Sequence, residues 1–142
     1  MFLYDEFCEF RSRSFYLAGE QICDVLVFLF KLAGCGWVSM SIGEGVAIFS
    51  TELPDSEFQL NNSVGGDVDY PVLNLDILDS YIGKKILNIY EYRIKGVNEG
   101  CVGVYFDCGS VGFSVLECDG CLSFFNYVCD LGVEVSFVKI TL

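Results

Sequence analysis

Between residues 75 and 125, apolar side chains mostly alternate with polar ones, and glycine, asparagine or aspartate interrupts the alternation repeatedly. A period of two is typical of a strand with one buried face, and the interruptions are typical of tight turns. Asp119-Gly120 is the strongest turn signal, because both central residues of a type I′ turn adopt positive φ. The pattern therefore predicts an antiparallel meander with strands at about 86–94, 102–106, 111–115 and 122–128, and a last strand at about 133–140.

Two other segments predict helices. The longer one covers about 17–33, where apolar residues recur at helical spacing and Gly34 can end the helix. Its apolar face consists of Ile22, Val25, Leu26, Leu29, Phe30 and Ala33. A short second helix is predicted over about 74–82, with Asn74 as its N-cap and Gly83 at its end. The longer helix is apolar enough that we expect it to cover one face of a sheet.

The remaining segments complete the predicted fold. Residues 1–16 favour a strand, 37–51 favour a hairpin around Gly43-Glu44-Gly45, and 53–70 favour an irregular connection. At 142 residues, the chain has the length of one domain. The prediction is a single α+β domain over 1–142, with an antiparallel sheet of about six or seven strands and the two helices.

Net charge narrows the choice of partners. The chain has 8 lysines and arginines against 20 aspartates and glutamates, which gives a net charge of −12. Phosphate binding requires clustered cations, so nucleic acid is excluded as a partner and a basic protein is favoured. The alternative interpretation is that the excess acid only keeps an aromatic-rich protein soluble.

The chain contains no histidine, which restricts its possible chemistry. Ser-His-Asp and Cys-His nucleophile pairs are excluded, as are metal centres that depend on histidine. Two carboxylate pairs, Asp67 with Asp69 and Glu117 with Asp119, could act as acid and base or bind Mg²⁺. A small enzyme or small-molecule-binding domain therefore stays as an alternative, but we expect no catalytic residues and no cofactor.

Eight cysteines are present. The first residues are acidic and do not resemble a secretory signal, so we expect a cytoplasmic protein with free thiols and no disulfide. The most apolar run, Val25–Phe30, is far shorter than the roughly 20 residues that cross a membrane, so no membrane partner is expected. Zinc could bind Cys101, Cys108, Cys118 and Cys121. However, Cys118 and Cys121 flank a hairpin turn, which favours packing thiols over a metal site or a redox-catalytic motif.

The acids are concentrated in two segments. Five lie between residues 51 and 71 and six between 96 and 138, and neither segment contains a basic residue. A continuous negative surface steers a basic protein, and buried aromatic side chains commonly supply binding energy. The predicted partner-binding residues are Asp55, Glu57, Phe58, Asp67, Asp69, Tyr70, Asp107 and Asp119.

The segments LDILDSYIGKKILNIYEYRI and VGVYFDCGSVGFSVLECDGCL carry a family resemblance. With their short helix ending in an IGK turn, long strand and hairpin with an Asp-Gly corner, they resemble immunity proteins of contact-dependent growth inhibition and other polymorphic toxin systems of bacteria. The resemblance covers about a third of the chain. It implies a non-enzymatic toxin inhibitor that binds the toxin domain of its own system and occludes its active or substrate-binding site. Such families share no fixed binding residues, so the resemblance assigns none.

The acidic charge suggests that the toxin is basic and acts as a nuclease. A further alternative is an acidic DNA mimic of phage origin. Such a decoy would space its carboxylates along an elongated face, whereas a dedicated inhibitor would combine them with exposed aromatic side chains.

Overall fold

The computed structural model of the chain describes residues 2–51, 60 and 64–141. Its strands form two antiparallel sheets. The strands of the first sheet are β1 (Phe7–Leu17), β2 (Glu20–Leu32), β3 (Gly36–Gly43), β4 (Val46–Ser50), β5 (Val68–Asp69) and β6 (Val72–Asn74). Those of the second sheet are β7 (Asn88–Ile94), β8 (Cys101–Asp107), β9 (Gly112–Cys118), β10 (Cys121–Phe125) and β11 (Val135–Ile140). A short 3-10 helix, Asp76–Tyr81, lies between the two groups in the sequence.

The first sheet is built on the long hairpin of β1 and β2. Its strand order is β4-β3-β2-β1-β5, and β6 also pairs with β1. The β1–β2 turn consists of Ala18 and Gly19, whose φ angles are 50° and 81°. Positive φ at both positions is the type I′ geometry that matches the twist of paired strands. The hairpin therefore extends from this turn to the opposite end of the sheet, where Phe7 pairs with Leu32.

Strands β7 to β10 of the second sheet confirm the predicted meander, and β11 pairs with β7 at the far edge. The strand order of this sheet is β10-β9-β8-β7-β11, with every pair antiparallel. The β9–β10 turn contains Asp119 and Gly120 with φ angles of 53° and 81°. These values are the type I′ geometry that the Asp-Gly signal predicts. Each of the five predicted strands is present, with bounds that differ by a few residues.

Residues 126–134 connect β10 to β11, which lie at opposite edges of the second sheet, so this segment crosses a face of the sheet. Cys129 donates its backbone N–H to the Tyr92 hydroxyl at 2.9 Å. The Tyr92 and Ser114 hydroxyls are 2.7 Å apart, and Ser114 donates to the Tyr127 carbonyl. Because Ser114 uses its hydrogen on Tyr127, Tyr92 must donate to Ser114. This buried chain of hydrogen bonds fixes the segment on the sheet.

The predicted α+β class is wrong, and so is the predicted helix over 17–33. These residues form the β1–β2 turn and strand β2, which pairs with β1 on one side and β3 on the other. A continuous apolar run such as Val25–Phe30 fits a buried helix and a buried central strand equally well. Its valines and phenylalanines favour the strand. Ile22, assigned to the helical core face, is 54% exposed.

The predicted second helix is also corrected. It is a 3-10 helix of six residues, Asp76–Tyr81, which follows Leu75 without a side-chain cap, and Asn74 is the last residue of β6. Part of the predicted irregular connection forms strand β5, whereas 52–59 and 61–63 lie outside the described residues. Across the described part of the chain, every helical segment is too short or too polar to cross a membrane.

The two sheets share one hydrophobic core rich in phenylalanine. Phe28 of β2 contacts Phe106 of β8 and Phe113 of β9, with ring centroids 6.0 Å apart in each pair. Such edge-to-face contacts add to the energy gained from burial. A disulfide between Cys23 and Cys121 also joins the sheets, with Cα atoms 5.7 Å apart. The prediction that all cysteines are free is therefore wrong for this pair.

Asp5 organises the chain at the start of β1. Its carboxylate accepts backbone N–H groups from Glu6, Gly34 and Cys35 at 2.8–3.0 Å, which ties the β2–β3 turn to the segment before β1. Burial by itself would raise the pKa of Asp5, but these hydrogen bonds outweigh burial and lower it from 3.8. The ionised carboxylate therefore contributes to stability.

Asp5→Asn is expected to lower the free energy of unfolding at pH 7 by about 1 kcal/mol, because one carboxylate oxygen becomes an N–H₂ group that cannot accept a hydrogen bond. The pKa of Asp5 is lower in the folded state, so its stabilisation is present above pH 3.8 and is lost as the pH falls through the lowered pKa. Urea denaturation of both proteins at pH 7 and at pH 3 or below checks this. An equal difference at both pH values would contradict it.

Candidate functional site

Strand direction places several turns of the first sheet at one end. Because neighbouring strands are antiparallel, the β1–β2 turn, the β3–β4 turn and the start of β5 lie at the same end. The backbone N–H of Ala18 donates to the carbonyl of Asp67 at 2.8 Å, which joins the first turn to the segment before β5. Asp69 then accepts the N–H groups of Gly65 and Gly66.

The second sheet has a corresponding end. It carries the β7–β8 connection, the β9–β10 turn and the residues that lead into β11. Lys95 donates its backbone N–H to the carbonyl of Glu134 at 2.8 Å, so the first and last of these segments are in contact.

Two contacts show that these ends coincide. Cys101 of the second sheet donates its N–H to the carbonyl of Gly45 in the β3–β4 turn, at 2.9 Å. A Cβ at Gly45 would overlap the carbonyl oxygen of Glu99, and the φ of Gly45 is +76°, so only glycine fits this approach. The Cys23–Cys121 disulfide joins the sheets near the same end. We call residues 17–20, 44–46, 64–70, 94–100, 117–120 and 130–134 the acidic end.

The acidic end has nine carboxylates and one lysine, Lys95. Seven of the carboxylates are exposed and two, those of Asp69 and Glu117, are half-buried. The nine belong to Glu20, Glu44, Asp67, Asp69, Glu99, Glu117, Asp119, Asp130 and Glu134. The opposite end, 2–6, 31–35, 75–87, 107–111 and 139–141, is nearly balanced, with Asp5, Glu6, Asp76, Asp79 and Asp107 against Lys31, Lys84, Lys85 and Lys139. The negative charge of residues 2–51 and 64–141 is therefore unevenly placed.

Three carboxylates of the acidic end, those of Asp69, Glu117 and Asp130, accept backbone N–H groups. Glu117 accepts the N–H of Gly120 at 2.8 Å, and Asp130 accepts the N–H of Gly132 at 3.0 Å. Between described residues the structure contains two ion pairs, within β1 and within β7, and neither includes an acid of this end. The charge at this end is thus available to a cation from outside the chain.

Exposed apolar side chains lie among these carboxylates. Val133 is 81% exposed and Tyr70 is 46% exposed, with one face of the Tyr70 ring stacked on Phe15 at a centroid distance of 5.3 Å. The other exposed apolar residues of this end are Leu17, Val46, Val64, Val68, Ile94, Val97 and Leu131. A surface that combines apolar side chains with uncompensated charge is typical of a protein interface.

The structure unites some of the predicted binding residues and separates others. Asp67, Asp69, Tyr70 and Asp119 all lie at the acidic end, the first three at β5 and Asp119 in the β9–β10 turn. Asp107 lies at the opposite end, so the structure does not bring it together with the others. Its carboxylate accepts the side-chain N–H of Asn88 at 3.0 Å and the backbone N–H of Gly109 at 2.9 Å. The other three predicted residues, Asp55, Glu57 and Phe58, lie outside the described residues.

The four cysteines considered as zinc ligands are not brought together. Cys101 and Cys108 lie at opposite ends of β8, and Cys121 is in the disulfide. Burial raises the pKa of Cys101 and of Cys108 to about 11, so both stay protonated near neutral pH. In each carboxylate pair considered for catalysis, one member already accepts a backbone hydrogen bond within a turn. Asp69 accepts the N–H of Gly65, and Glu117 accepts the N–H of Gly120.

The predicted binding residues omit six acids of this end: Glu20, Glu44, Glu99, Glu117, Asp130 and Glu134. Three of them, Glu20, Glu44 and Glu99, lie next to a glycine, which is a signal present in the sequence. The end at which a turn lies depends on the number of strands before it. Because β2 was predicted as a helix, the predicted number of strands differs from the observed number. The sequence pattern therefore did not place these acids at one end.

Comparison with known proteins gives no match: no family model, no curated protein and no solved structure is significantly similar to this chain. Its function is therefore inferred from the geometry and charge of the chain itself.

Proposed function

We propose that this chain is a non-enzymatic immunity protein that binds a basic toxin domain, a nuclease, and occludes its active or substrate-binding site. The observation that carries the proposal is the acidic end, where nine carboxylates face one lysine and lie among exposed apolar residues. The resemblance of residues 75–94 and 102–122 to immunity proteins of polymorphic toxin systems agrees with this function.

A nuclease is the toxin class that best fits the charge. Its substrate-binding surface must carry clustered cations, because neutralising phosphates supplies most of the affinity for nucleic acid. A negative surface that is concentrated at one end would orient the inhibitor toward that basic surface during approach. Such steering raises association rates by about 10- to 1,000-fold at low salt. An inhibitor docked there would exclude the nucleic acid directly.

The exposed apolar residues support a protein partner over a purely electrostatic role. Charges at the rim of an interface mainly change the association rate, whereas desolvated apolar and aromatic side chains supply most of the affinity. Tyr70 and Val133 are suitable anchors, because both are exposed beside carboxylates. A DNA mimic would instead space its charges along an elongated face, and the nine carboxylates are confined to one end. The proposed site of action is the bacterial cytoplasm, where a nuclease toxin meets its substrate.

Growth rescue tests this function. The chain is co-expressed in a bacterial host with the protein encoded by the gene immediately upstream, which the proposal identifies as the toxin. The expected result is that the upstream product stops growth and that the chain restores it. An upstream product without effect on growth, or an arrest that the chain does not relieve, would contradict the proposal.

A further inference from the structure

Three cysteines lie close together in the fold near the acidic end. Cys23 of β2 and Cys121 of β10 form the disulfide that joins the two sheets. Cys118 is the last residue of β9, is exposed, and has a free thiol. In the β9–β10 hairpin, Cys118 is the direct cross-strand partner of Cys121. Cys121 is therefore bonded to one cysteine and paired across the hairpin with another.

The hairpin geometry suits a bond between Cys118 and Cys121. They flank a two-residue turn, so their Cα atoms are a hydrogen-bonded cross-strand pair, which places them about 5.5 Å apart with side chains on the same face. Disulfides form across Cα separations of about 4.4–6.8 Å. The existing Cys23–Cys121 bond spans 5.7 Å. Cys121 thus has two partners within bonding range.

We propose that Cys118, Cys121 and Cys23 form a thiol–disulfide exchange switch that moves one disulfide between two positions. The Cys118 thiol loses its proton, and its thiolate attacks the Sγ atom of Cys121. A Cys118–Cys121 bond forms while the Cys23–Cys121 bond breaks, and Cys23 leaves as a thiolate that takes up a proton. One disulfide and one thiol exist before and after the step, so it needs no oxidant or reductant.

Four other thiols of the chain are less suited to this attack. Burial raises the pKa of Cys101 and Cys108 to about 11, which leaves little of the reactive thiolate. Burial and the neighbouring Asp5 carboxylate also raise the pKa of Cys35. Cys8 is exposed, but it lies on β1 near the opposite end of the first sheet. Cys118 is better placed for the attack, because it is paired with Cys121 across the hairpin and is exposed to solvent.

Exchange would change how the sheets are held together. In one state a covalent bond joins β2 to β10. In the other the bond closes the β9–β10 hairpin, and the sheets are held together by packing and hydrogen bonds without a disulfide between them. Disulfides in a reducing compartment are usually transient or redox-sensing, and a neighbouring thiol is the usual means of opening them. The switch is independent of the proposed function, because it requires only these three residues.

Disulfide mapping tests the switch. Oxidised protein is incubated at neutral pH without added thiol, its free thiols are alkylated with N-ethylmaleimide, and it is cut on the amino side of aspartate. Cleavage before aspartate places Cys23, Cys118 and Cys121 in different peptides, 5–23, 107–118 and 119–129. Each peptide also contains a second cysteine, so tandem fragmentation assigns the bonded or alkylated one. In the wild type we expect both the Cys23–Cys121 and the Cys118–Cys121 peptides in the mass spectrum, with alkylated Cys23 accompanying the second.

Cys118→Ser is the decisive variant, and it should fold normally because Cys118 is exposed. We expect it to lose both the second disulfide and all alkylation of Cys23. Cys8→Ser is the matched control, because it also removes an exposed free thiol, and it should behave like the wild type. Wild-type protein that contains only the Cys23–Cys121 bond would overturn the proposal. Equal alkylation of Cys23 in the wild type and in Cys118→Ser would do the same.

Discussion

Phe28→Ala is expected to lower the free energy of unfolding by about 3–5 kcal/mol, the range for deleting a fully buried aromatic side chain. Phe28 is 0% exposed, and its ring contacts rings from both sheets. They belong to Phe10, Phe30, Phe106, Phe113 and Phe124. Alanine would leave a cavity where the sheets meet. The cavity left by the phenylalanine ring is too large for neighbouring side chains to fill completely.

Ile22→Ala is the matched control on the same strand. It also shortens an apolar side chain of β2, but Ile22 is 54% exposed, so its loss is expected to cost less than about 1 kcal/mol. Chemical denaturation of the three proteins measures both effects. Similar losses for the two variants would contradict the assignment of β2 as a strand, because a helix would place Ile22 on the buried face.

Local turn chemistry made parts of the fold predictable. The Asp119-Gly120 dipeptide is enough to predict a hairpin turn, because positive φ at two successive residues defines the turn type. The strands on either side follow from alternation, and all five predicted strands of the second sheet are present. The Gly43-Glu44-Gly45 signal similarly gave the β3–β4 hairpin, with Glu44 and Gly45 as its turn residues.

Strand β2 was not predictable by the same means. It is central in its sheet and carries a continuous apolar run, so alternation disappears and the run fits helical spacing as well. Only pairing with β1 and β3, which are separate segments, decides between the two structures. The Cys23–Cys121 disulfide was missed for the same reason, since 98 residues separate the two cysteines and a helix would not have placed Cys23 beside β10.

The acidic character of the candidate site is predictable from the sequence, but the set of residues that lie together is not. The excess of acid in 51–71 and 96–138 is visible in the sequence, and four of the named residues do lie at the acidic end. Asp107 was grouped with Asp119 because both lie in hairpin turns. Successive turns of a meander lie at alternate ends, which separates these two residues by the length of a strand.

Reversing charges at the acidic end is expected to slow association with the toxin about tenfold at low salt, because it removes part of the field that steers a basic partner. Glu99→Lys with Glu134→Lys is the suitable double variant, since both residues are exposed. The effect should shrink above about 0.5 M salt, where the screening length falls to a few ångströms. Stopped-flow association rates at two salt concentrations measure it.

Asp76→Lys with Asp79→Lys is the control for net charge. These exposed acids lie at the opposite end, and either double variant changes the net charge from −12 to −8, since each substitution adds two charges. If location matters, the control should associate nearly as fast as the wild type. Equal slowing by the two double variants would mean that overall charge, and not the acidic end, determines the rate.

Hydrogen exchange can detect whether the acidic end is the surface that binds the proposed toxin. Backbone amide exchange is measured by mass spectrometry for the free chain and for its complex with the toxin. We predict slower exchange in the complex across 94–100, 117–120 and 130–134, and unchanged exchange across 75–87 at the opposite end. Protection at 75–87 with none at the acidic end would contradict binding at the acidic end.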